Sequence, residues 1–246
     1  MANVISDNKL FFAIEGLPRS GTTILNSIFN SIEDAFCFSE PIWQLIQNPY
    51  GLRLGKLEDK IAYNSIAANN VVLELRRVLQ TCDYNIGGLK ETYRDWQTEC
   101  VDLIKDEDLD FRIFILREPK YNFSGWKRNP FGPEYYNVEI FCRNYCNFIE
   151  RIYKKALSTP TYIIKYEDLC SAQNIEKYIN TLMEGKIEIS GKINILKTGY
   201  SYGDIKGNNS NKIETSRKTT DNLTIEELKK ISEIEPLYDN MGSGRC

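Results

Sequence analysis

The chain has 246 residues, of which 42% are hydrophobic and 26% charged, and its formal net charge is −3. That length suffices for one α/β domain, 1–246, with a full core, and the mild acidity argues against a basic groove for nucleic acid or another polyanion. No apolar stretch approaches the length needed to span a bilayer, and Met1–Lys9 lacks the apolar region of a signal peptide, so a cytoplasmic protein without membrane contact is expected. Seven cysteines, no CxxC pair and no histidine predict reduced thiols and no metal site. Cys142 and Cys146, one helical turn apart, read as packing residues.

In chain order the pattern predicts a strand, a loop and a helix over 10–31, a strand at 35–39, and helices within 41–48 and 57–80. A strand at 86–90, a helix near 94–105, a strand at 111–116, a broken helix at 119–128 and a long helix at 134–156 follow. A strand at 161–166 and a helix at 172–184 precede 185–222, which is rich in Gly, Asn, Ser, Thr and Lys and reads as a mobile loop region over cofactor or substrate. Thr224–Ile234 is a final amphipathic helix. The alternation predicts a mostly parallel central sheet with helices on both faces.

Leu10–Ile14 runs into Gly16-Leu17-Pro18-Arg19-Ser20-Gly21-Thr22-Thr23. A strand, a glycine-bracketed loop and a helix start offer unpaired amides and partial positive charge to a phosphate. The nucleotide-hydrolase pattern places a lysine after the second glycine. Thr22 stands there instead, and the cation is Arg19, inside the loop. A second phosphate-binding candidate is Arg117, at the end of the apolar run Phe111–Leu116, with Ser124 two helical turns on. A guanidinium fork and a hydroxyl suit a phosphate. Pro119 fits the first turn of the helix between them.

Pro18–Thr23 resembles the 5′-phosphosulfate loop of sulfotransferases that use 3′-phosphoadenosine 5′-phosphosulfate (PAPS). Arg117 and Ser124 resemble that family's 3′-phosphate pair. The resemblance implies a P-loop sulfotransferase-like fold, with Arg19, Ser20, Gly21, Thr22, Thr23, Arg117 and Ser124 binding PAPS or its product PAP, and no metal. Tyr162–Leu169 resembles the family's late strand with its Tyr-Glu-Asp-Leu ending. Glu167 and Asp168 there read as caps or salt-bridge partners. Gly207–Asn211 resembles the segment before the last loop over the cofactor, but Asn211 replaces the usual arginine. Arg217 and Lys218 are the candidates for that charge, or a solvated basic pair.

Moving a sulfuryl group to a hydroxyl or amine needs a base for the acceptor proton and positive charge for the leaving phosphate. Many relatives use histidine, which this chain lacks. Glu40, at the end of the 35–39 strand, is the candidate base, since strand ends line the ligand crevice of open α/β sheets. The resemblance to glutamate-base sulfotransferases supports it. Ser39-Glu40-Pro41 is equally a helix start that Glu40 would cap.

Lys90 stands where the resemblance places a lysine followed by a Thr-Pro pair, although Thr92 is displaced by one residue and the proline is absent, and it reads as a catalytic group that stabilises the transferring group or holds Glu40 in place, or as a loop charge. Glu91 and Arg94 read as loop charges or acceptor-facing groups. Trp43, Trp96, Trp126, Tyr135 and Tyr136 wall a pocket or fill the core. The expected acceptor is a small molecule, with a cationic secondary metabolite such as a guanidinium alkaloid as the suggestion. A P-loop small-molecule kinase and a non-catalytic PAP-binding protein are the alternatives, and the oligomeric state stays open.

Overall fold

Leu10–Gly16 (β1) and Phe111–Leu116 (β4) are buried along almost their whole lengths, as mainly apolar strands at the centre of a parallel sheet should be, and their two charged residues, Glu15 and Arg112, pair with each other. Ala35–Ser39 (β2), Ile86–Thr92 (β3) and Thr161–Lys165 (β5) complete the parallel set. The sheet order is β2-β3-β1-β4-β5-β6, where β6 is the two-residue antiparallel edge Gly244–Arg245. The computed structural model describes residues 9–47, 70–128, 132–185, 187 and 219–245.

Helices cover both faces. Thr22–Ser31 (α1) presents Leu25, Ile28 and Phe29 to Phe12, Ile14 and Ile113, at the spacing of one helical stripe. On the opposite face Pro41–Gln47 (α2) and Val71–Thr81 (α3) pack on Phe11, Ala13 and Leu89. Glu99–Asp102 (α4) is a single turn. Pro119–Arg128 (α5) and Val138–Ala156 (α6) cover Phe114 and Leu116. Tyr166–Ser171 (α7), Ile175–Leu182 (α8), Ile225–Ser232 (α9) and Glu235–Asp239 (α10) finish the chain. The mostly parallel sheet with helices on both faces is as expected.

Several local expectations change. The helix near 94–105 shrinks to α4, because Asp95 is pinned to α6: its N–H donates to Asn144 Oδ1 at 2.7 Å and its carboxylate accepts from Arg143 at 2.6 Å. The helix expected at 172–184 is α8, which Asn174 caps by accepting from the Lys177 N–H, and the unexpected α7 begins at Tyr166, where the strand expected to run to 166 stops. The long helix starts at Val138 rather than 134, where Asn137 accepts from Glu139 and Ile140 amides. Helix α5 is unbroken. Thr224 and Glu227 form a capping box at α9, as that helix start predicts. Residues 57–69 of the helix expected at 57–80, and most of 185–222, lie outside the described residues.

Candidate functional site

All the described site residues follow the C-terminal ends of parallel strands, where open α/β sheets form their ligand crevice. After β1 the chain turns tightly, with the Ser20 N–H donating to Leu17 O at 3.1 Å. Arg19 adopts φ 64°, a left-handed conformation uncommon outside glycine. Gly21, at φ 105°, serves as the N-cap of α1. A Cβ there would stand 2.4 Å from the Tyr166 ring, and one at Gly16 would stand 2.6 Å from both Ser20 Oγ and Thr22 Cγ2.

The first turn of α1 holds no acidic residue, and Gly21 gives it no side-chain cap. Ser20 Oγ is buried without a hydrogen-bond partner. An orphaned hydroxyl beside an uncapped helix N-terminus is a cradle that fits a phosphate.

Helix α5 fixes this loop from behind. Asn122 Nδ2 and Trp126 Nε1 both donate to Pro18 O, each at 2.7 Å. Arg117 Nη1 donates to Arg19 O at 3.0 Å, and its guanidinium lies 4.8 Å from the Tyr166 ring centre. Thus Arg117 and Arg19 are neighbours. Ser124 is buried on α5, and its hydroxyl faces Thr219 O and Asn222 Oδ1, each at 2.7 Å. Arg217 and Lys218 lie outside the described residues. Asn122 was not singled out from sequence, and Trp126 was read only as a pocket or core residue, although their i, i+4 spacing puts both on one helix face.

Glu40 also has a left-handed backbone, with φ 53°. Its N–H donates to Lys90 O at 2.6 Å. Its carboxylate accepts from Lys90 Nζ at 2.9 Å and from the Thr92 hydroxyl. Strand β3 runs two residues beyond its expected end. Period-two alternation therefore sends Lys90 and Thr92 to one face and Glu91 to the other. The register sets Lys90 beside Ile14 and Thr92 beside Gly16, next to the phosphate loop.

Burial opposes the charge on Glu40, but Lys90, Arg94 and the Thr92 hydrogen bond outweigh it and hold the carboxyl down at about 2. About a quarter of the Glu40 side chain, 23%, stays open.

Glu91 is a correction. It is neither a loop charge nor an acceptor-facing group. It lies on β3, fully buried, and its Oε1 accepts from the Ile42 N–H at 2.6 Å and the Trp43 N–H at 3.4 Å. The start of α2 is therefore capped by Glu91, not by Glu40. Glu167 and Asp168 bind neutral donors rather than acting as the caps or salt-bridge partners expected: Glu167 accepts from the Glu118 N–H and the Tyr238 hydroxyl, and Asp168 from the Ser243 hydroxyl.

Of the aromatic candidates, Trp126 and Tyr135 are core residues and Tyr136 is exposed. Trp43 lies under the Arg94 guanidinium at 5.1 Å. Trp96 is 40% exposed, and its ring contacts Trp126 and Tyr135. Among the described residues no group of three or more His, Cys, Asp or Glu side chains is arranged to hold a metal ion, and no helix is long and apolar enough to cross a membrane.

No protein-family model matches the chain, and no curated protein matches it significantly. Solved structures do. The sulfotransferase domain of the Synechococcus PCC 7002 olefin synthase superposes with TM-score 0.62 at 14% identity, over 98% of this chain and 100% of that one. The fold is similar to that of a sulfotransferase domain. A structure from the PezAT toxin-antitoxin system of Streptococcus pneumoniae aligns over 96% of this chain and 89% of its own, at 14% identity and TM-score 0.37.

Proposed function

We propose that this chain is a PAPS-dependent sulfotransferase acting on a hydroxyl or amine of a small-molecule acceptor. The observation that carries the reading is the convergence on one crevice of an uncapped helix N-terminus, the orphaned Ser20 hydroxyl and a carboxylate held between Lys90 and Thr92. PAPS supplies the sulfuryl group when bound.

Loop amides, Ser20, Thr22 and Thr23 would hold the 5′-phosphate. Arg117 would hold the 3′-phosphate, with Ser124 joining it if its hydroxyl leaves Thr219 and Asn222. Arg217 and Lys218 would add charge from the chain that follows. Glu40 would take the acceptor proton, as the acceptor oxygen or nitrogen bonds to sulfur and the bridging S–O bond breaks toward the phosphate. Arg19 and Lys90 would balance the charge left on that phosphate oxygen.

A carboxylate at about 2 is a weak base while Lys90 touches it. Turning the Lys90 ammonium from Glu40 toward the transferring group raises that basicity at the moment it is needed. Two cations, Lys90 and Arg94, lie beside Glu40, and this charge favours a neutral or anionic acceptor over a guanidinium compound. The reading includes a cytoplasmic enzyme that needs no metal.

The test is transfer of labelled sulfuryl from PAPS to a panel of small alcohols, phenols and amines in EDTA. Metal-independent transfer is expected, since Arg19 and Lys90 carry the charge that magnesium carries in kinases. Activity that requires magnesium and ATP would favour a kinase, and PAP binding without transfer to any acceptor would favour a non-catalytic nucleotide-binding protein.

A further inference from the structure

Glu91 is a buried carboxyl that the proposed transfer does not use. It is 0% exposed. One oxygen holds the first amides of α2, immediately after Glu40, and the other, Oε2, is buried without a hydrogen-bond partner. The charged and titratable groups around it are Glu40 from the β2–α2 junction, Lys90 on β3, Arg94 beyond its end and Cys100 on α4. Glu40 itself stands in a strained backbone conformation that only its surroundings maintain.

We infer that Glu91 is a positioning residue, whose carboxyl clamps the start of α2 and so holds Glu40 against Lys90 and Thr92. The inference rests on the sulfotransferase reading only in giving Glu40 a base to be. Burial first, and the Glu40 charge second, push the Glu91 carboxyl up to about 8. A neutral acid leaves Lys90 to a single carboxylate. Ionisation of Glu91 would place a second negative charge in the crevice that must accept phosphate and sulfuryl oxygens, and would compete for Lys90. Glu91 thus keeps the pair at one negative charge through neutral pH and lets it reach two only above that.

The test compares Glu91→Gln, which keeps the shape and the acceptor oxygen, with Glu91→Ala, which loses the clamp. Carboxyl 13C NMR, with Glu40 assigned through Glu40→Gln, reads the Glu40 titration directly. Glu40 is expected to stay ionised at acid pH in wild type and Glu91→Gln, and to move toward the ordinary glutamate range in Glu91→Ala. A second carboxyl titrating near pH 8 should appear in wild type and vanish in Glu91→Gln.

In turnover, measured as PAP release from PAPS, Glu91→Ala should lose about 10–100-fold in kcat with PAP affinity retained. Glu91→Gln should stay within about threefold at neutral pH and lack the alkaline fall of the wild type. An unmoved Glu40 titration in Glu91→Ala overturns the inference, as does a Gln variant as impaired as Ala. If Glu91→Ala does not fold, Glu91→Gln decides alone: it must keep the low Glu40 titration and lose the step near pH 8. A wild type that releases no PAP from PAPS defeats the sulfotransferase reading and leaves the NMR comparison to decide the role of Glu91.

Discussion

Two carboxylate clusters sit at the ends of neighbouring strands, and they are built on opposite plans. In the first, Glu15 on β1 is fully buried and both its oxygens are matched, one by Arg112 on β4 and the other by Arg151 on α6 at 2.6 Å. Asp106 joins from below, bonded to Arg112 at 2.7 Å, Lys155 at 3.1 Å and Ser158 at 2.6 Å. In the second, Lys90 is bonded to Glu40 at 2.9 Å with Arg94 adding charge nearby, while Glu91 is held by backbone amides alone and one of its oxygens has no hydrogen-bond partner. The matched cluster has no reason to change state. The unmatched one, beside an open crevice and holding a strained backbone, can exchange a proton or a cation partner with little rearrangement. Perturbed titration by itself is a poor guide to function, since structural networks shift pKa values too. Unequal matching of charge separates the two clusters better.

Removing charge from each cluster tests that separation. Glu40→Gln should lower turnover about 10²–10⁴-fold while the protein folds and binds PAP normally. Steady-state transfer and PAP calorimetry on the same preparation check this, and normal turnover would move the base elsewhere. Arg112→Met should do the reverse. It leaves one buried Glu15 oxygen without its cation, although Arg151 still holds the other, and takes a partner from Asp106; breaking a buried pair in this way costs about 3–5 kcal/mol, read by urea unfolding, with PAP affinity of the folded protein unchanged. Arg117→Ala lies between the two clusters in kind. It removes charge-assisted hydrogen bonds of about 1.5–3 kcal/mol, so PAP should bind about 10–100-fold more weakly while AMP loses little.

The pH dependence of stability differs in sign between the clusters, and its Asp106 arm is the smallest effect. Burial disfavours the Asp106 charge, but Ser158, Lys155 and Arg112 outweigh it and lower the carboxyl from 3.8 to about 2. Below 3.8 the unfolded chain binds the extra proton, so stability falls as pH falls toward 2, and Asp106→Asn should flatten that acid limb. With part of the side chain open to water, the effect is about 1 kcal/mol. Glu91 is raised from 4.5 to about 8, so the folded state binds the extra proton between those values. Stability is then lost as pH rises across that window, and Glu91→Gln should remove the loss. Urea unfolding at fixed steps from pH 2 to pH 9 reads both.

The strand, loop and helix over 10–31 and the central strands were legible because their signals are local. A fully apolar run of strand length, two glycines five residues apart and an arginine ending the next apolar run need no tertiary information. The place of Glu40 at the end of a strand was legible from the apolar run before it. Its partners were less so. Ending β3 at Lys90 hid the alternation that pairs Lys90 with Thr92 and turns Glu91 inward, because Lys-Glu-Thr reads as surface until burial overrides its polarity. The collapse of the helix near 94–105 was invisible for the same reason: its cause is a contact between Asp95 and Asn144, 49 residues apart. Ser124 was found at a plausible place, but its occupation by Thr219 and Asn222 is a long-range fact.

The claim on which the rest depends is that the cradle between β1 and α5 takes a 3′-phosphorylated adenosine. The direct measurement is thermal unfolding of the wild type with PAP, AMP and Mg-ATP at matched concentrations, since a ligand that binds only the folded state raises its stability. The account predicts a marked rise in Tm with PAP, little with AMP or Mg-ATP, and loss of the PAP preference in Arg117→Ala. Equal rises with PAP and AMP, or a rise with Mg-ATP alone, would contradict it.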